Sequence, residues 1–480
     1  MQADFSLIMP EITLLVAACI VLLVDVFIKP NWRGLTYFLS QLALVVSFVV
    51  CLQTEVQAPS VSFSNHWVVD PLSQMLKLFM LGVMFIVFLY SRVYVTERTI
   101  ARGEFHILAL FSTLGMMLLV SANTLLLLYL GLELLTLPLY VLVALRRDAA
   151  DSVEAGMKYF VVGALASGLL LYGISILFGL TNSIELSQIT SYIQQANADQ
   201  MGLLLFALVF IVIGLAFKLG AVPCHMWIPD IYEGAPTNVT LLVGSAPKLA
   251  AFGMAYRLLN DTLMGLSQDW SQYFIVLALL SLAVGNFTAI AQTNIKRMLA
   301  YSTIAHIGFI LLGFVVAPSI GFAPALFYTI VYAITACCAF GVIILLSAKG
   351  VERDTLEDIK GLCHRSPWLA FIMLLAMFSL AGVPPLVGFY AKFVILKALI
   401  DSGMVWLAAV CVVFSIIGAF YYLRVIWLMY FEKPEIVNRV GGALDLRAVL
   451  SLNGLLVLAL GLLPAPLFSL CQQVFSKLVA

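Results

Sequence analysis

Two stretches, Phe217-Lys218-Leu219-Gly220-Ala221-Val222-Pro223 and Phe378-Ser379-Leu380-Ala381-Gly382-Val383-Pro384-Pro385, each cut across an apolar run long enough to cross a bilayer. Proline lacks the N–H that a helix interior needs, so Pro223 in the first and Gly382, Pro384 and Pro385 in the second mark helix breaks. Backbone freed in this way is tolerated at membrane depth only where protein or a water-filled cavity satisfies it. Residues 218–223 can be laid on 379–384 at an offset of 161. Ala250-Ala251-Phe252 with Arg257 echoes Gly418-Ala419-Phe420 with Arg424 at an offset near 168, and 156–177 can be laid on 325–346 near 169. Each copy holds five spans, and an odd number turns the second copy over in the membrane. This is the pattern of an inverted repeat, with a site expected where the broken helices meet.

The composition agrees. Of 480 residues 63% are hydrophobic and 10% charged, against ~25% charged in soluble domains. The chain reads as an all-α polytopic membrane protein. About fourteen spans are expected, near 7–28, 35–53, 73–95, 105–121, 123–145, 155–180, 201–219, 236–259, 271–292, 298–317, 322–347, 368–399, 404–430 and 448–475. The seventh and twelfth are discontinuous. The expected division is a three-helix segment at 1–104, one repeat at 105–260, its inverted partner at 261–430, and a last helix within 431–480. Met1-Gln2-Ala3-Asp4 lacks a basic leader, so the first span is expected to be retained.

Basic residues gather in alternate loops, among them Lys29, Arg33, Arg98, Arg102, Arg146, Arg147, Lys296, Arg297, Lys349, Arg353, Lys433 and Arg439. The other loops hold almost none, which puts the basic loops in the cytoplasm and both termini outside. The 25 basic residues balance 25 acidic ones, leaving no footprint for nucleic acid. The eight Cys and five His form no metal-ligand spacing, so no metal and no cofactor bound by this chain is expected. Dinucleotide, phosphate-loop and nucleophile-elbow motifs are also missing.

Four charges stand deep in spans or beside breaks: Glu133, Lys218, Lys248 and Lys392. Each costs about 2.5–3.5 kcal/mol at the bilayer centre unless paired or wetted. One Glu–Lys pair could serve as glue between helices, but it would not require three lysines and two breaks. Buried groups whose charged forms are favoured by pairing and disfavoured by desolvation can pass a proton on when a neighbour changes, so a proton relay is the preferred reading. His225, after the first break, and His306, beside Tyr301, could extend it, although each could equally be hydrogen-bonded between helices. Lys158, one turn from Glu154, forms either an extension or a simple i,i+4 pair. Lys77, Arg257, Lys397, Arg424 and Lys477 are expected to snorkel to the surface, and Glu11 and Asp25 to be wet.

GLELLTLPLYVLVALRR, FKLGAVPCHMWIPDIYEGAP, GSAPKLAAFGMAYRLL, QTNIKRMLAYSTIAHIGF and FSLAGVPPLVGFYAKF together resemble the antiporter-like subunits of respiratory complex I. The resemblance spans most of 123–424. It implies fourteen helices, two inverted five-helix repeats, and proton transfer driven by quinone reduction elsewhere in the enzyme. It also implies FMN, iron–sulfur clusters and quinone in partner subunits, and sister antiporter-like subunits as neighbours in a bacterial inner membrane. Glu133 fits the family's fifth-helix glutamate; Lys218, Lys248 and Lys392 fit the lysines of helices seven, eight and twelve. Since the chain ends at Ala480, the extra helices of the larger sister subunit are not expected.

The expected mechanism has Glu133 and Lys218 ion-paired on the cytoplasmic half, Lys248 central and Lys392 on the outward half. Separating the pair would send a proton toward Lys248. One charge crossing the membrane is worth ~2.3 kcal/mol per 100 mV, a scale such pairing can supply. The alternatives are a subunit of a multisubunit cation/proton antiporter or membrane-bound hydrogenase, a stand-alone solute transporter, and an inert scaffold.

Overall fold

The computed structural model describes residues 4–29, 32, 34–54, 56, 58–98, 103–316, 318–347, 351–434 and 443–479. Arg33, Arg102, Lys349 and Arg439, four of the loop charges used for orientation, lie outside the described residues. The rest is helical apart from one hairpin, β1 (Ser60–Ser62) against β2 (Trp67–Val69), with Val61 opposite Val68.

Six helices come before the first break: α1 (Met9–Phe27), α2 (Gly34–Gln53), α3 (Pro71–Glu97), α4 (Glu104–Val120), α5 (Leu125–Val143) and α6 (Ala150–Thr181). The short α7 (Leu186–Gln195) lies in a connection read from sequence as a plain loop. The seventh span is then α8 (Ala198–Leu219) followed by α9 (Trp227–Gly234), and the eighth is α10 (Thr237–Gly244) followed by α11 (Ala246–Leu259). Next come α12 (Ser267–Ile290), α13 (Ile295–Val315) and α14 (Pro318–Leu346), then the single turn α15 (Leu362–Arg365). The twelfth span is α16 (Pro367–Ala381) with α17 (Val387–Asp401), followed by α18 (Val405–Phe431), α19 (Leu444–Leu462) and α20 (Ala465–Val479).

Caps set the starts. Asp70 and Ser73 form a capping box on α3, with Pro71 in the first turn, and Asn197 and Gln200 form another on α8. Helices meet through small residues, as membrane packing demands. Gly131 of α5 lies so close to the backbone of α4 that a Cβ would stand 2.7 Å from the nitrogen of Leu119, and Gly285 of α12 approaches Ala305 of α13 equally closely. The pair α10–α11 is wholly enclosed, and α13 and α14 nearly so; α1, α6, α18 and α19 turn most of their surface outward.

Two expectations about the helices change. The span expected at 448–475 is interrupted, because Pro464 has no N–H to continue α19. Phe468 of α20 packs on Phe327 and Tyr390, and Phe475 on Phe322 and Tyr256, so the second piece runs along α14. The eighth span is also broken, at Ser245, where the backbone leaves the helical region before Pro247.

Three surface charges turn out to be buried. Lys77 and Glu11 are each 2% exposed and pair at 2.7 Å, with the Lys77 amine 5.0 Å from the ring centre of Trp67. Arg257 does not snorkel either. It pairs with Asp70 at 2.7 Å and Asp261 at 2.8 Å, and donates to the Val120 carbonyl. In each case the hairpin side of the molecule covers a helix end that the linear sequence leaves looking exposed.

Candidate functional site

The two expected breaks share one backbone solution. Gly220 (φ +89°) and Gly382 (φ +85°) both take the left-handed conformation that ends a helix. Gly220 and Ala221 both donate to the Ala216 carbonyl; Gly382 and Val383 both donate to Phe378. These equivalences give an offset of 162, not 161. Lys218 therefore corresponds to Leu380 and not to Ser379, and the alignment read from sequence slips by one residue because the shared Val-Pro pair sits one position differently after each glycine. The Val222–Pro223 and Pro384–Pro385 bonds are both cis.

A lysine grips each broken end. Lys248 Nζ donates to the carbonyl of Leu219, the last residue of α8, at 2.8 Å; Lys392 Nζ donates to that of Ala381, the last residue of α16, at 2.9 Å. The negative end of each half-helix meets a cation. Each amine also faces an aromatic ring, Trp227 for Lys248 and Phe309 for Lys392, both at 5.3 Å. The lysines arrive differently: Lys248 comes from α11, while Lys392 is on α17, the continuation of its own broken helix. All of Lys218, Lys248 and Lys392 are buried, at 8, 2 and 9% exposure.

Glu133 and Lys218 do not form the expected ion pair. Lys218, in the last turn of α8, lies within electrostatic range of both Glu133 and Lys248, but no carboxylate lies within 4.0 Å of its amine among the described residues. Glu133 lies on the outward stripe of α5, among half-exposed Leu126, Leu130, Leu137 and Val141, and its Oε1 is buried without a hydrogen-bond partner. The reason is directional: the helical period puts Glu133 on the face of α5 turned away from the core.

His306 is the centre of a polar network. Its Nδ1 meets the Tyr328 hydroxyl at 2.7 Å and its Nε2 the Tyr422 hydroxyl at 3.1 Å; Tyr422 in turn meets Ser302 at 2.5 Å. Thr303 joins Tyr332 at 2.7 Å. Tyr232, with a buried hydroxyl lacking a partner, lies in electrostatic range of Tyr332 on the side toward the first repeat. A cavity of about 10 Å³ among His306, Tyr328, Tyr332, Thr335 and Ser379 approaches the space one water needs. Lys392 lies within electrostatic range of His306.

The other candidates stand apart. His225 bonds only the Pro223 carbonyl of its own turn, at 3.3 Å. Tyr301 makes no hydrogen bond to the His306 network. Lys158 pairs with Glu154 at 2.8 Å, as the i,i+4 reading expected, and also with Asp230 at 3.0 Å, on the exposed rim of a charged bowl with Arg297 and Glu233. Sequence reading missed Tyr232, Tyr328, Tyr332 and Tyr422. The signal was there in part: Tyr328 and Tyr332 fall one turn apart in an uncharged helix that also carries Thr329 and Thr335. No cluster of three or more metal-ligating side chains occurs among the described residues.

Broken helices in opposed repeats, with an unpaired amine at each break and a polar seam between them, define an ion-translocating membrane subunit. The chain belongs to the NADH:quinone oxidoreductase/Mrp antiporter transmembrane family, whose profile matches residues 122–418. It is 52% identical to NADH-quinone oxidoreductase subunit N of Thioalkalivibrio sulfidiphilus over 473 residues, covering 98% of each chain. To the same-named subunit of Herminiimonas arsenicoxydans it is also 52% identical, over 98% of each. Among solved structures it is similar to a chain of respiratory complex I from Thermus thermophilus, with TM-score 0.81, 32% identity, and 96% and 98% coverage. A chain of the Mrp complex from Dietzia shares the fold, with TM-score 0.82 at 22% identity over 99% and 98%.

Proposed function

We propose that the chain is a proton-translocating membrane-arm subunit of an NADH:quinone oxidoreductase, coupling quinone reduction in partner subunits to proton transfer. The observation that carries this is the pair of buried amines, Lys248 and Lys392, each bound to a broken helix end and separated by the His306–tyrosine seam. Electron transfer, with FMN, iron–sulfur clusters and quinone, belongs to the partners. The chain acts as part of that enzyme in a bacterial inner membrane, with sister membrane-arm subunits beside it and its termini on the outer side. Residues 1–104 are an accessory segment, 105–260 and 261–430 the two half-channels, and 431–480 a closing helix pair.

In this reading Glu133 sits where a neighbouring subunit can reach it. A cation brought up to Glu133 from outside, or withdrawn, changes the field at Lys218 and moves a proton between Lys218 and Lys248. From there the Tyr232–Tyr332–Thr303 groups and His306 carry it to Lys392, and Lys392 releases it on the outer half. The family likeness to cation/proton antiporters extends to the fold, whereas full-length identity near one half lies with the oxidoreductase subunits. The test is proton pumping by the assembled enzyme in sealed vesicles carrying Lys218→Ala or Glu133→Ala. Pumping should fall while the complex remains intact; assembled variants that pump at wild-type rates sink the assignment. Copurification with antiporter subunits instead of quinone-reducing partners would favour the rival.

A further inference from the structure

A groove of about 950 Å³ opens between α14, α17 and α20, outside the polar seam. Its volume is within the roughly 300–1,000 Å³ of cavities that hold small organic ligands. The lining is graded along α17. Tyr390 and Phe393, with Phe468 of α20, form its aromatic end; Lys397, then Asp401 at the helix end, form its polar mouth with Asn260. Of its lining, Phe393 is 47% and Ile320 38% exposed, so the groove opens on the apolar outer surface of the helices, not into the protein core.

The mouth carries the information. Lys397 and Asp401 are one helical turn apart, both exposed, and form no ion pair among the described residues. A cation and an anion at that spacing (neighbours on a helix surface, about 5–6 Å between Cβ atoms) complement a headgroup with one negative and one positive centre. An anionic headgroup would meet attraction at Lys397 and repulsion at Asp401. We propose that this groove is a structural site for a zwitterionic phospholipid of the ethanolamine type, its acyl chains against Tyr390, Phe393 and Phe468, its phosphate at Lys397 and its ammonium at Asp401.

The test uses the whole complex, purified in mild detergent. Mass spectrometry should find one tightly retained phosphatidylethanolamine in the wild type that is lost from the Lys397→Ala/Asp401→Ala double variant and from Val394→Trp, which fills the trough. After delipidation, phosphatidylethanolamine vesicles should raise the melting temperature more than phosphatidylglycerol vesicles of the same acyl composition, and the double variant should lose that preference. Equal response to the two lipids, unchanged retention in the double variant, or a map of the complex with a helix of a partner subunit filling the groove would each overturn the proposal.

Discussion

The N-terminal three helices and the two helix breaks bury charge in opposite ways. Glu11 and Lys77 meet directly at 2.7 Å, so neither can change its charge without stranding the other. Lys248 and Lys392 have no counter-ion in contact among the described residues; they are held by neutral carbonyls at 2.8 and 2.9 Å. An amine bound only to a carbonyl and a ring can give up its proton and leave no orphaned charge behind. On the proposed relay, pairing marks structure in this molecule, and its absence marks transport.

The largest test of that contrast is Glu11→Gln. Removing one partner of a buried pair costs about 3–5 kcal/mol, so thermal unfolding of the complex should shift strongly. The double change Glu11→Gln/Lys77→Met should recover most of the loss, and pumping per folded complex should stay at wild type throughout. If Glu11→Gln silences pumping in folded complex, the division between glue and relay breaks.

Lys248→Ala and Lys392→Ala should behave the other way round. Losing a positioned proton carrier costs about a hundredfold in rate, read as initial proton uptake by vesicles, while stability falls by only ~1–3 kcal/mol for the uncapped carbonyl. Equal losses would make the two breaks equivalent in function as well as in backbone. Lys218→Ala should cost less, on the order of tenfold and so below the roughly hundredfold lower bound for such transfer groups, because Lys248 still holds the break and the second repeat has Leu380 at the equivalent position.

The smallest effects are expected at the glycines. Alanine at a left-handed position destabilises by about 1 kcal/mol, and Gly220→Ala and Gly382→Ala should share that cost in unfolding measurements. They should differ in pumping. A Cβ at Gly382 would stand 2.8 Å from the stem of Lys392 and displace it, whereas at Gly220 the nearest atom is a terminal methyl of Ile228. A pumping defect in Gly382→Ala alone sharpens the comparison.

Most of the architecture could be read from the chain, because a bilayer imposes long apolar spans and makes Gly-Val-Pro interruptions conspicuous. The four deep ionisable groups showed for the same reason: the only other charges in their spans, Arg257 and Lys397, lie near a span end. Four things stayed hidden. Glu11, Lys77 and Arg257 lie near span ends, where sequence position does not distinguish water from a covering hairpin. The outward direction of Glu133 depends on which face of α5 packs on α4, a tertiary fact. Tyr328, Tyr332 and Tyr422 carry no charge and read as ordinary aromatics until His306 is placed among them. The break at Ser245 had its Pro247 in plain view, but a proline in the first turn of a new helix looks the same as one inside a kink.

The grip of Lys248 on Leu219 spans 29 positions of sequence, so this side chain is also a brace between two spans. A brace that also serves in the proposed relay must hold whether loaded or empty. Nitrogen meets that demand, since an uncharged amine still has N–H bonds to offer a carbonyl, only more weakly. A carboxylate in the same place would have let go, having nothing to donate once ionised. In the proposed relay the amine can therefore be emptied and refilled without the half-helix coming adrift.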